Sequence, residues 1–411
     1  MQAAAGAWIL RFWASGLVLL FGLSAPAAVD GAPAGTSACD LQARSAVQAG
    51  TGCARAWFDA NLHLNEIQLV GTAESYKLRP SSAMLGLIRI GSAEDAKELD
   101  FAEPPIAEQL ELGARSLEFD VAYDPKGGLY SHPAGASMAM ELVSDQYVHD
   151  MSQPGFKVIH ILDIDFNSSC LTLANCLGVV ALWSRAHPDH LPIIIALRTN
   201  DDRTPMPGAT HPQMFDAAAF DALDRAIQKV FRQDEIITPD KVRGNSPSLR
   251  QAVEAKGWPS LGASRGKVLF LLDDSKEKVD LYRGARPSLE KRVMFISTDP
   301  KSPAAAFMTV EDPAKAAGQI SQAVRAGLMV HTYADAGTKE ARASNTARRD
   351  KAFASGAQII STDFIRADTG IGKYEVRLAK GHAGQCGVLF VPKRCGGLDV
   401  ETGRDSGSGE R

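Results

Sequence analysis

Two acidic side chains in one apolar segment are the first residues whose type and spacing could support chemistry. Glu118 and Asp120 stand two positions apart within Leu117–Tyr123, which has the composition of a β-strand. Because side chains alternate along a strand, both carboxylates project from the same face. Such a pair suits a hard cation such as calcium, or a positively charged group. A structural ion pair with an arginine of the same sheet is the alternative.

A histidine follows these carboxylates on the next predicted loop. His132 stands in the segment Tyr130–Pro133, and an unperturbed imidazole titrates near neutral pH, which suits a general acid or base. We interpret His160 as a hydrogen-bonded core residue, and we expect His331 near the site. The sequence contains no HExxH or EF-hand pattern. Phosphodiester cleavage, glycoside hydrolysis and deprotonation beside a carbonyl group therefore all stay open.

Eight predicted strands, most of them separated by predicted helices, must position these residues. The strands are Ile67–Ala73, Leu117–Tyr123, Lys157–Asp163, Ile193–Thr199, Lys267–Asp273, Val293–Thr298, Leu328–Tyr333 and Gln358–Asp363. The helices are Leu171–Ala186, Met214–Phe231, Pro313–Ala326 and Lys339–Ser355. This alternation predicts an α/β fold, a (β/α)8 TIM barrel with its chemistry at the carboxyl ends of the strands. A doubly wound nucleotide-binding sheet is disfavoured because no Gly-rich loop follows the first strand.

The composition is that of a globular protein. The 411 residues are 45% hydrophobic and 22% charged, and 44 basic against 48 acidic residues give a net charge of -4. This near balance argues against nucleic acid as a partner, and we expect a monomer. Six cysteines fit an oxidising compartment, and local pairing is the simplest of the possible connectivities. The expected pairs are Cys39 with Cys53, Cys170 with Cys176, and Cys386 with Cys395.

The ends of the chain differ from its middle. Residues 1–27 combine Arg11, a short apolar run and small residues before the expected cleavage point, which predicts a signal peptide and a secreted or periplasmic protein. We expect an N-terminal extension at 28–60, the barrel at 61–395 and a disordered polar tail at 396–411. Long loops are predicted at Pro80–Pro105 and Asn200–Pro212.

A series of segments carries a family resemblance. It begins with Asn65–Tyr76, Leu117–Asp120 and Gly127–Pro133, and it continues through Gly155–Cys176, Trp183–Arg198, Gly266–Asp273 and Ser355–Phe364. Together these segments resemble the secreted, calcium-dependent phosphatidylinositol phospholipase C family of bacteria and fungi. The likeness runs in the same order from about residue 60 to residue 395.

The resemblance implies a TIM-barrel phosphoric diester hydrolase of lipid metabolism. An inositol hydroxyl would attack phosphorus and release the glycerol oxygen, while calcium neutralises charge on the phosphoryl oxygens. His132 would assist the leaving group, and Glu118 and Asp120 would be metal ligands. Contact with a membrane would be peripheral and transient. Ser81–Ile88 would either supply an apolar rim for that contact or be buried as part of a β–α loop.

Three positions depart from the family pattern. Where the family reads Gly-Thr-His-Asn-Ser-Tyr, this chain has Ala73 in place of the histidine and Glu74 in place of the asparagine ligand. Arg198 replaces a further acidic ligand. One hypothesis places Arg198 where the metal would lie, clamped by Glu118, Asp120 and Glu74. The other keeps calcium on the three carboxylates and turns Arg198 toward the substrate. Neither hypothesis restores the lost base, which Glu74, His331 or a water would have to replace.

We therefore predict cleavage of an inositol phospholipid or a related phosphodiester. His132, Arg198 and Glu74 are the candidate catalytic residues, and Glu118, Asp120 and Glu74 are the candidate calcium ligands. A pseudoenzyme that binds a phosphorylated polyol or lipid headgroup is one alternative. A glycerophosphodiester phosphodiesterase is another, and a glycosidase is supported only by the carboxylates.

Overall fold

Residues 38–255, 257–389 and 393–405 are described by the computed structural model. The expected signal peptide, 1–27, lies outside these residues, as do 406–411. No helix in the described part of the chain is long and apolar enough to cross a membrane.

Ten strands are present in the described residues, and eight of them form a nearly closed parallel barrel. The strands are β1 Ile67–Thr72, β2 Ser116–Asp124, β3 Gly155–Val158, β4 Ile193–Thr199, β5 Val268–Leu272, β6 Phe295–Ile296, β7 Phe307–Val310, β8 Met329–Tyr333, β9 Ile359–Thr362 and β10 Gln385–Cys386. The order around the barrel is β6-β5-β4-β2-β1-β9-β8-β7, and a single parallel bridge between Ser297 and Phe307 brings the two ends together. This confirms the predicted TIM barrel.

Two strands differ from the expected set of eight. The segment Lys157–Asp163 was expected to be a barrel strand, but β3 ends at Val158 and pairs antiparallel with the far end of β2, from Val121 to Asp124. The missing barrel position is filled by β7, which the sequence analysis did not predict. Its four residues are mostly strand-favouring types, but the run is short and directly follows three alanines, so it does not stand out in the sequence.

Helices cover the outside of the barrel. They are α1 Ala54–Asn61, α2 Ser82–Gly91, α3 Ala93–Glu98, α4 Ile106–Glu111, α5 Ala134–Met138, α6 Asp145–Met151, α7 Leu173–Ala186, α8 Ala217–Val230, α9 Pro239–Arg243, α10 Leu249–Glu254, α11 Leu261–Ser264, α12 Lys276–Arg283, α13 Pro313–Arg325, α14 Lys339–Arg342 and α15 Ala347–Ala354. The expected loop Pro80–Pro105 therefore contains two helices, because Ser81 and Ser92 each cap a helical turn with their side-chain oxygens. The loop predicted at Asn200–Pro212 contains neither helix nor strand.

Burial explains why the alternation of strands and helices was readable. Every residue of β5 is buried, as are the first five residues of β4, so both strands appear in the sequence as continuous apolar runs. In α8 the buried residues Phe220, Leu223 and Ile227 recur at helical spacing and form the inner face of that helix. The core therefore lies between the barrel wall and its helical coat.

Disulfide bonds and buried contacts fix both ends of the described chain. The three predicted disulfides, Cys39–Cys53, Cys170–Cys176 and Cys386–Cys395, are all present. Within the tail expected at 396–411, the described residues 396–405 contact the barrel. Glu401 forms an ion pair with Arg115, and Val400 is fully buried.

Candidate active site

Polar side chains from five barrel strands converge at the carboxyl ends of the strands. Glu118 and Asp120 lie on β2 and Arg198 lies on β4, where it is the register partner of Asp120. Tyr333 ends β8, Asp273 follows β5, and Glu74 follows β1. These residues form two groups, one around Arg198 and one around Glu74.

Arg198 is held by a carboxylate and a phenol. Its Nη2 donates to the hydroxyl oxygen of Tyr333 at 2.6 Å, and that hydroxyl donates to Oε2 of Glu118 at 2.9 Å. The Arg198 Nε lies 3.4 Å from Oε1 of Glu118, and Nη2 lies 4.0 Å from Oδ2 of Asp273. The arginine side chain is still 37% exposed. The guanidinium is thus fixed on one side and accessible on the other.

The charges in this group stabilise one another. The nearby carboxylate of Glu118 raises the pKa of Arg198 further above its ordinary value, against the opposing effect of burial. Burial and the charge of Glu118 together raise the pKa of Tyr333 well above its ordinary value, so its hydroxyl stays protonated. Tyr333 is therefore a hydrogen-bond donor to Glu118 at neutral pH.

Glu74 belongs to a separate chain of ionic contacts. Its Oε1 lies 3.0 Å from Nε2 of His160, and Nδ1 of His160 lies 2.8 Å from Oδ2 of Asp165. The same Asp165 oxygen lies 2.8 Å from Nζ of Lys77, and both of these side chains are almost completely buried. This arrangement connects a cation in the core to a carboxylate at the mouth of the barrel.

His160 carries a positive charge at neutral pH. Burial lowers its pKa, but the charge of Glu74 and the hydrogen bond with Asp165 outweigh burial and raise the pKa well above its ordinary value. The second oxygen of Glu74, Oε2, is buried and has no hydrogen-bond partner among the described residues. Glu74 also has a φ of 46°, an uncommon backbone conformation for a residue with a side chain. The two carboxylate oxygens therefore differ, since one is held by an imidazolium and the other has no hydrogen-bond donor.

Asp120 is bound to a tyrosine rather than to a cation. Its Oδ2 accepts a 2.7 Å hydrogen bond from the hydroxyl of Tyr76. Burial raises the pKa of Asp120 to about 6, although His160 and Arg198 oppose that shift. Asp120 is therefore only partly charged just below neutral pH.

The three expected metal ligands do not fit a calcium site in this structure. The oxygens of Glu118 contact Tyr333 and Arg198, Asp120 contacts Tyr76, and Glu74 contacts His160. Among the described residues, no group of three or more His, Cys, Asp or Glu side chains is arranged to hold a metal ion. A guanidinium beside Glu118 would also repel a divalent cation. The hypothesis of calcium on all three carboxylates therefore disagrees with the geometry.

The other hypothesis agrees with the geometry in one of its three contacts. Arg198 does pair with Glu118, but its second carboxylate is Asp273, where Asp120 and Glu74 were expected. Glu74 is already paired with His160, so it does not bridge the mouth to Arg198.

The remaining candidate histidines lie in different environments. His132 is exposed, and no hydrogen bond or ion pair joins it to the other candidate residues in the described part of the chain. His331 was expected near the site, and its Nδ1 lies 3.4 Å from Asp273 while its Nε2 lies 2.8 Å from the hydroxyl of Ser361. His331 is 1% exposed, so it contacts Asp273 from the buried side of that residue and does not reach the barrel mouth.

Sequence reasoning missed His160, Tyr333 and Asp273 as parts of the site. His160 was interpreted as a core residue, but its side chain is 21% exposed and reaches Glu74. The signal that could have identified it is the polar segment that follows, in which Asp163 and Asp165 interrupt the apolar pattern. For Tyr333 and Asp273, the only signal in the sequence was their position at the ends of predicted strands.

A cavity of about 670 Å³ adjoins the Glu74 group. Most of its lining is apolar and comes from α2, from residues 161–164 and from the loop at 204–206. Glu74, His160 and Asp363 contribute polar groups to it. Burial and the charge of Asp335 raise the pKa of Asp363 well above its ordinary value. The cavity thus combines an apolar wall with buried carboxyl groups.

A parallel barrel with polar groups at the carboxyl ends of its strands has the layout of a TIM-barrel enzyme. Residues 62–387 match the family model described as phosphoinositide phospholipase C, Ca²⁺-dependent. The chain therefore belongs to this family.

Solved structures with a similar chain trace include two calcium-dependent phospholipases C. The enzyme from Pseudomonas sp. is 16% identical with a TM-score of 0.47, and the match covers 79% of this chain and 96% of that chain. The enzyme from Streptomyces antibioticus is 18% identical with a TM-score of 0.47, covering 73% and 94%. A glycerophosphoryl diester phosphodiesterase from Parabacteroides distasonis is 10% identical with a TM-score of 0.35, covering 78% and 92%. No curated protein sequence matches the chain significantly.

Proposed function

We propose that the protein cleaves an inositol phospholipid or a related phosphodiester, with Arg198 in the role that calcium has in the family. The observation that carries this proposal is the guanidinium fixed by Glu118 and Tyr333 but still 37% exposed at the barrel mouth. A planar guanidinium binds two phosphoryl oxygens at once and stabilises the charge that develops on them.

Glu74 is the proton acceptor in this proposal. Its unpartnered Oε2 takes the proton of the attacking hydroxyl as the new O–P bond forms. His160 holds the other oxygen, and Asp165 fixes the orientation of the imidazole ring. The bond between phosphorus and the glycerol oxygen then breaks, and His132 supplies the proton to that oxygen. The role of His132 is supported by its family motif alone.

Secretion and membrane contact are part of the same proposal. The three disulfides support an oxidising compartment reached through a signal peptide at 1–27, and we propose a monomer. Transient contact with a lipid surface is supported by apolar side chains that are almost fully exposed. These are Ile90 on α2 at 86%, and Met140 and Leu142 after α5 at 92% and 96%.

The test is release of inositol phosphate from phosphatidylinositol vesicles by purified protein, in calcium or in EGTA. We expect equal turnover in the two conditions. Glu74→Gln and Arg198→Met should each lower kcat by about 10²-fold or more, because one removes the proton acceptor and the other the phosphate contact. His149→Ala is the matched control, since His149 is exposed on α6. Turnover that requires calcium would contradict the role of Arg198.

A pseudoenzyme is the second candidate, and Ala73 is the observation that favours it. This residue stands where the family pattern has a histidine, and its methyl group cannot accept a proton. The same assay decides between the candidates. Folded protein that binds inositol phosphate but releases none in calcium or in EGTA would establish the pseudoenzyme.

A further inference from the structure

Asp163, a buried residue outside the two groups of the site, accepts three hydrogen bonds from uncharged donors. Its Oδ1 accepts from the backbone N–H of Ala134 at 2.9 Å and from the hydroxyl of Thr210 at 2.8 Å. Its Oδ2 accepts from the backbone N–H of Thr210 at 2.8 Å. Asp163 is 4% exposed and has a φ of 68°, which is uncommon for a residue with a side chain. Because burial of an acidic side chain is costly without donors, these three contacts fix the position of Asp163 and of its partners.

Three segments of the chain meet at this side chain. Asp163 lies three residues after His160, its partner Ala134 lies two residues after His132, and its partner Thr210 belongs to the long loop after β4. The side chain therefore joins the segments that carry the two histidines of the proposed proton transfers.

All three segments line the cavity beside Glu74. The lining residues that they contribute are Met138 of α5, Ile161 and Ile164 on either side of Asp163, and Thr204 and Met206 of the loop. Gly135 of α5 packs directly on Asp163, because a Cβ atom there would lie 2.1 Å from the carbonyl oxygen of Asp163. Asp163 thus links parts of the cavity wall that are distant in sequence.

His132 depends on contacts of its backbone for its position. Its side chain is exposed and forms no hydrogen bond in the described part of the chain, while its neighbours Ser131 and Pro133 are buried. The bond from the N–H of Ala134 to Asp163 is 2.9 Å long, and the bond that the N–H of Ser131 donates on the other side is 3.3 Å long. A general acid must lie within hydrogen-bond reach of the oxygen that it protonates. The contact with Asp163 therefore restricts where His132 can act.

We propose that Asp163 is a positioning residue for the reaction. Its hydrogen bonds hold the segment of His132 against the segment of His160, so that the proton donor and the Glu74–His160 pair border one cavity. The proton passes from His132 to the glycerol oxygen as the P–O bond breaks, and Asp163 takes no part in that transfer. The inference rests on the proposed function for the roles of His132 and Glu74, whereas the contacts of Asp163 do not depend on it.

The test compares two leaving groups. The glycerol oxygen of phosphatidylinositol needs a proton to leave, whereas myo-inositol 1-(4-nitrophenyl phosphate) releases 4-nitrophenolate, which does not. Asp163→Gly removes the carboxyl group and tolerates the positive φ. It should lower kcat on phosphatidylinositol about 10²-fold, as displacement of a catalytic group does, and leave KM unchanged. On the nitrophenyl ester, kcat should fall less than about threefold.

Two milder variants and a matched control complete the series. Asp163→Asn keeps an acceptor oxygen and also tolerates a positive φ, so it should retain part of the kcat that Asp163→Gly loses. Thr210→Val removes one hydroxyl donor from a loop that contains neither helix nor strand, and it should lower kcat on phosphatidylinositol less than Asp163→Gly. Asp202→Gly, at an exposed position of the same loop, should change kcat on neither substrate.

Amide hydrogen exchange of residues 130–138, followed by mass spectrometry, reports the same contact without activity. Exchange should be faster in Asp163→Gly than in the unchanged protein and in Asp202→Gly. Unchanged exchange, or an equal loss of kcat on both substrates, would overturn the inference. If the unchanged protein cleaves neither substrate, the proposed function fails, and the exchange rates alone decide whether Asp163 holds this segment.

Discussion

The buried pair Lys77–Asp165 makes a quantitative prediction about the support of the active site. Lys77 Nζ lies 2.8 Å from Oδ2 of Asp165, and the two side chains are 0% and 1% exposed. Lys77 also donates to the carbonyl oxygens of Leu78 and Leu99 at 3.2 and 3.1 Å. Removing one partner of a buried pair costs about 3–5 kcal/mol when it leaves an uncompensated charge in the core. His160 also lies 2.8 Å from the same oxygen of Asp165 and compensates part of its charge. Lys77→Met should therefore lower the free energy of unfolding by an amount at the lower end of that range.

The double-mutant cycle separates this pair from its surroundings. Asp165→Asn should lower the free energy of unfolding by a similar amount, because it leaves the buried ammonium group of Lys77 without a carboxylate partner. The double variant Lys77→Met/Asp165→Asn contains neither charge. Its loss of unfolding free energy should therefore be about 3 kcal/mol smaller than the sum of the losses in the two single variants. The exposed pair Lys276–Asp280 provides the control, and Lys276→Met should change the free energy by less than about 1 kcal/mol.

Urea unfolding of the oxidised protein, followed by tryptophan fluorescence and circular dichroism, measures these quantities. Agreement of the two probes tests whether unfolding is two-state. Single-variant costs that add to within about 0.5 kcal/mol would refute the reasoning, because they would show that the two charges do not depend on each other.

Three further predictions concern other parts of the molecule. Arg198→Lys should retain the charge but lower kcat/KM in the vesicle assay, because an ammonium group cannot make two parallel contacts to phosphate. Arg325→Lys, at an exposed helical position, is the control and should lower kcat/KM less. Burial lowers the pKa of His190 from 6.5 to about 4. The neutral imidazole therefore contributes about 3 kcal/mol to the free energy of unfolding above pH 6.5, and this contribution is lost as the pH falls through 4. His190→Gln should flatten that part of a plot of unfolding free energy against pH. Gly71→Ala should lower the melting temperature by several degrees, because a Cβ atom there would lie 2.4 Å from Cβ of Ser116 on the neighbouring strand. Thermal unfolding measures this, and an unchanged midpoint would contradict the close packing.

The barrel was predictable because most of its strands carry strong local signals. The buried runs of β4 and β5 are apolar over five residues each, and such runs bounded by helical segments are typical of parallel sheets. The two errors have the same cause. Strand β3 has a strand-like sequence but pairs antiparallel outside the barrel, whereas β7 has only four residues and is placed by its neighbours β6 and β8. Pairing partners are set by tertiary structure, and no local pattern reports them.

The candidate site was predictable in its residue types and only partly in its contacts. The alternation within β2 predicted only that Glu118 and Asp120 share a face, and in the structure Glu118 pairs with an arginine of the barrel, which was the alternative to a metal site. It did not reveal that Tyr333 would bridge Glu118 and Arg198, since these residues lie on strands far apart in sequence. The partner of Glu74 was missed for the same reason, because His160 comes to it from a segment 86 positions later that leaves the barrel.

Charge balance connects two of the three positions at which the sequence was expected to depart from the family pattern. Arg198 places a cation at the barrel mouth, and Glu118 neutralises it. Glu74 places a carboxyl group there, and His160 pairs with it. Each new charge thus has a partner of its own, and the carboxylates that remain near Arg198 are not free to surround a divalent cation. Arg198→Asp would leave Glu118, Asp120 and the new carboxylate facing one another without a cation, so calcium binding, measured by isothermal titration, is expected in that variant and not in Glu74→Asn.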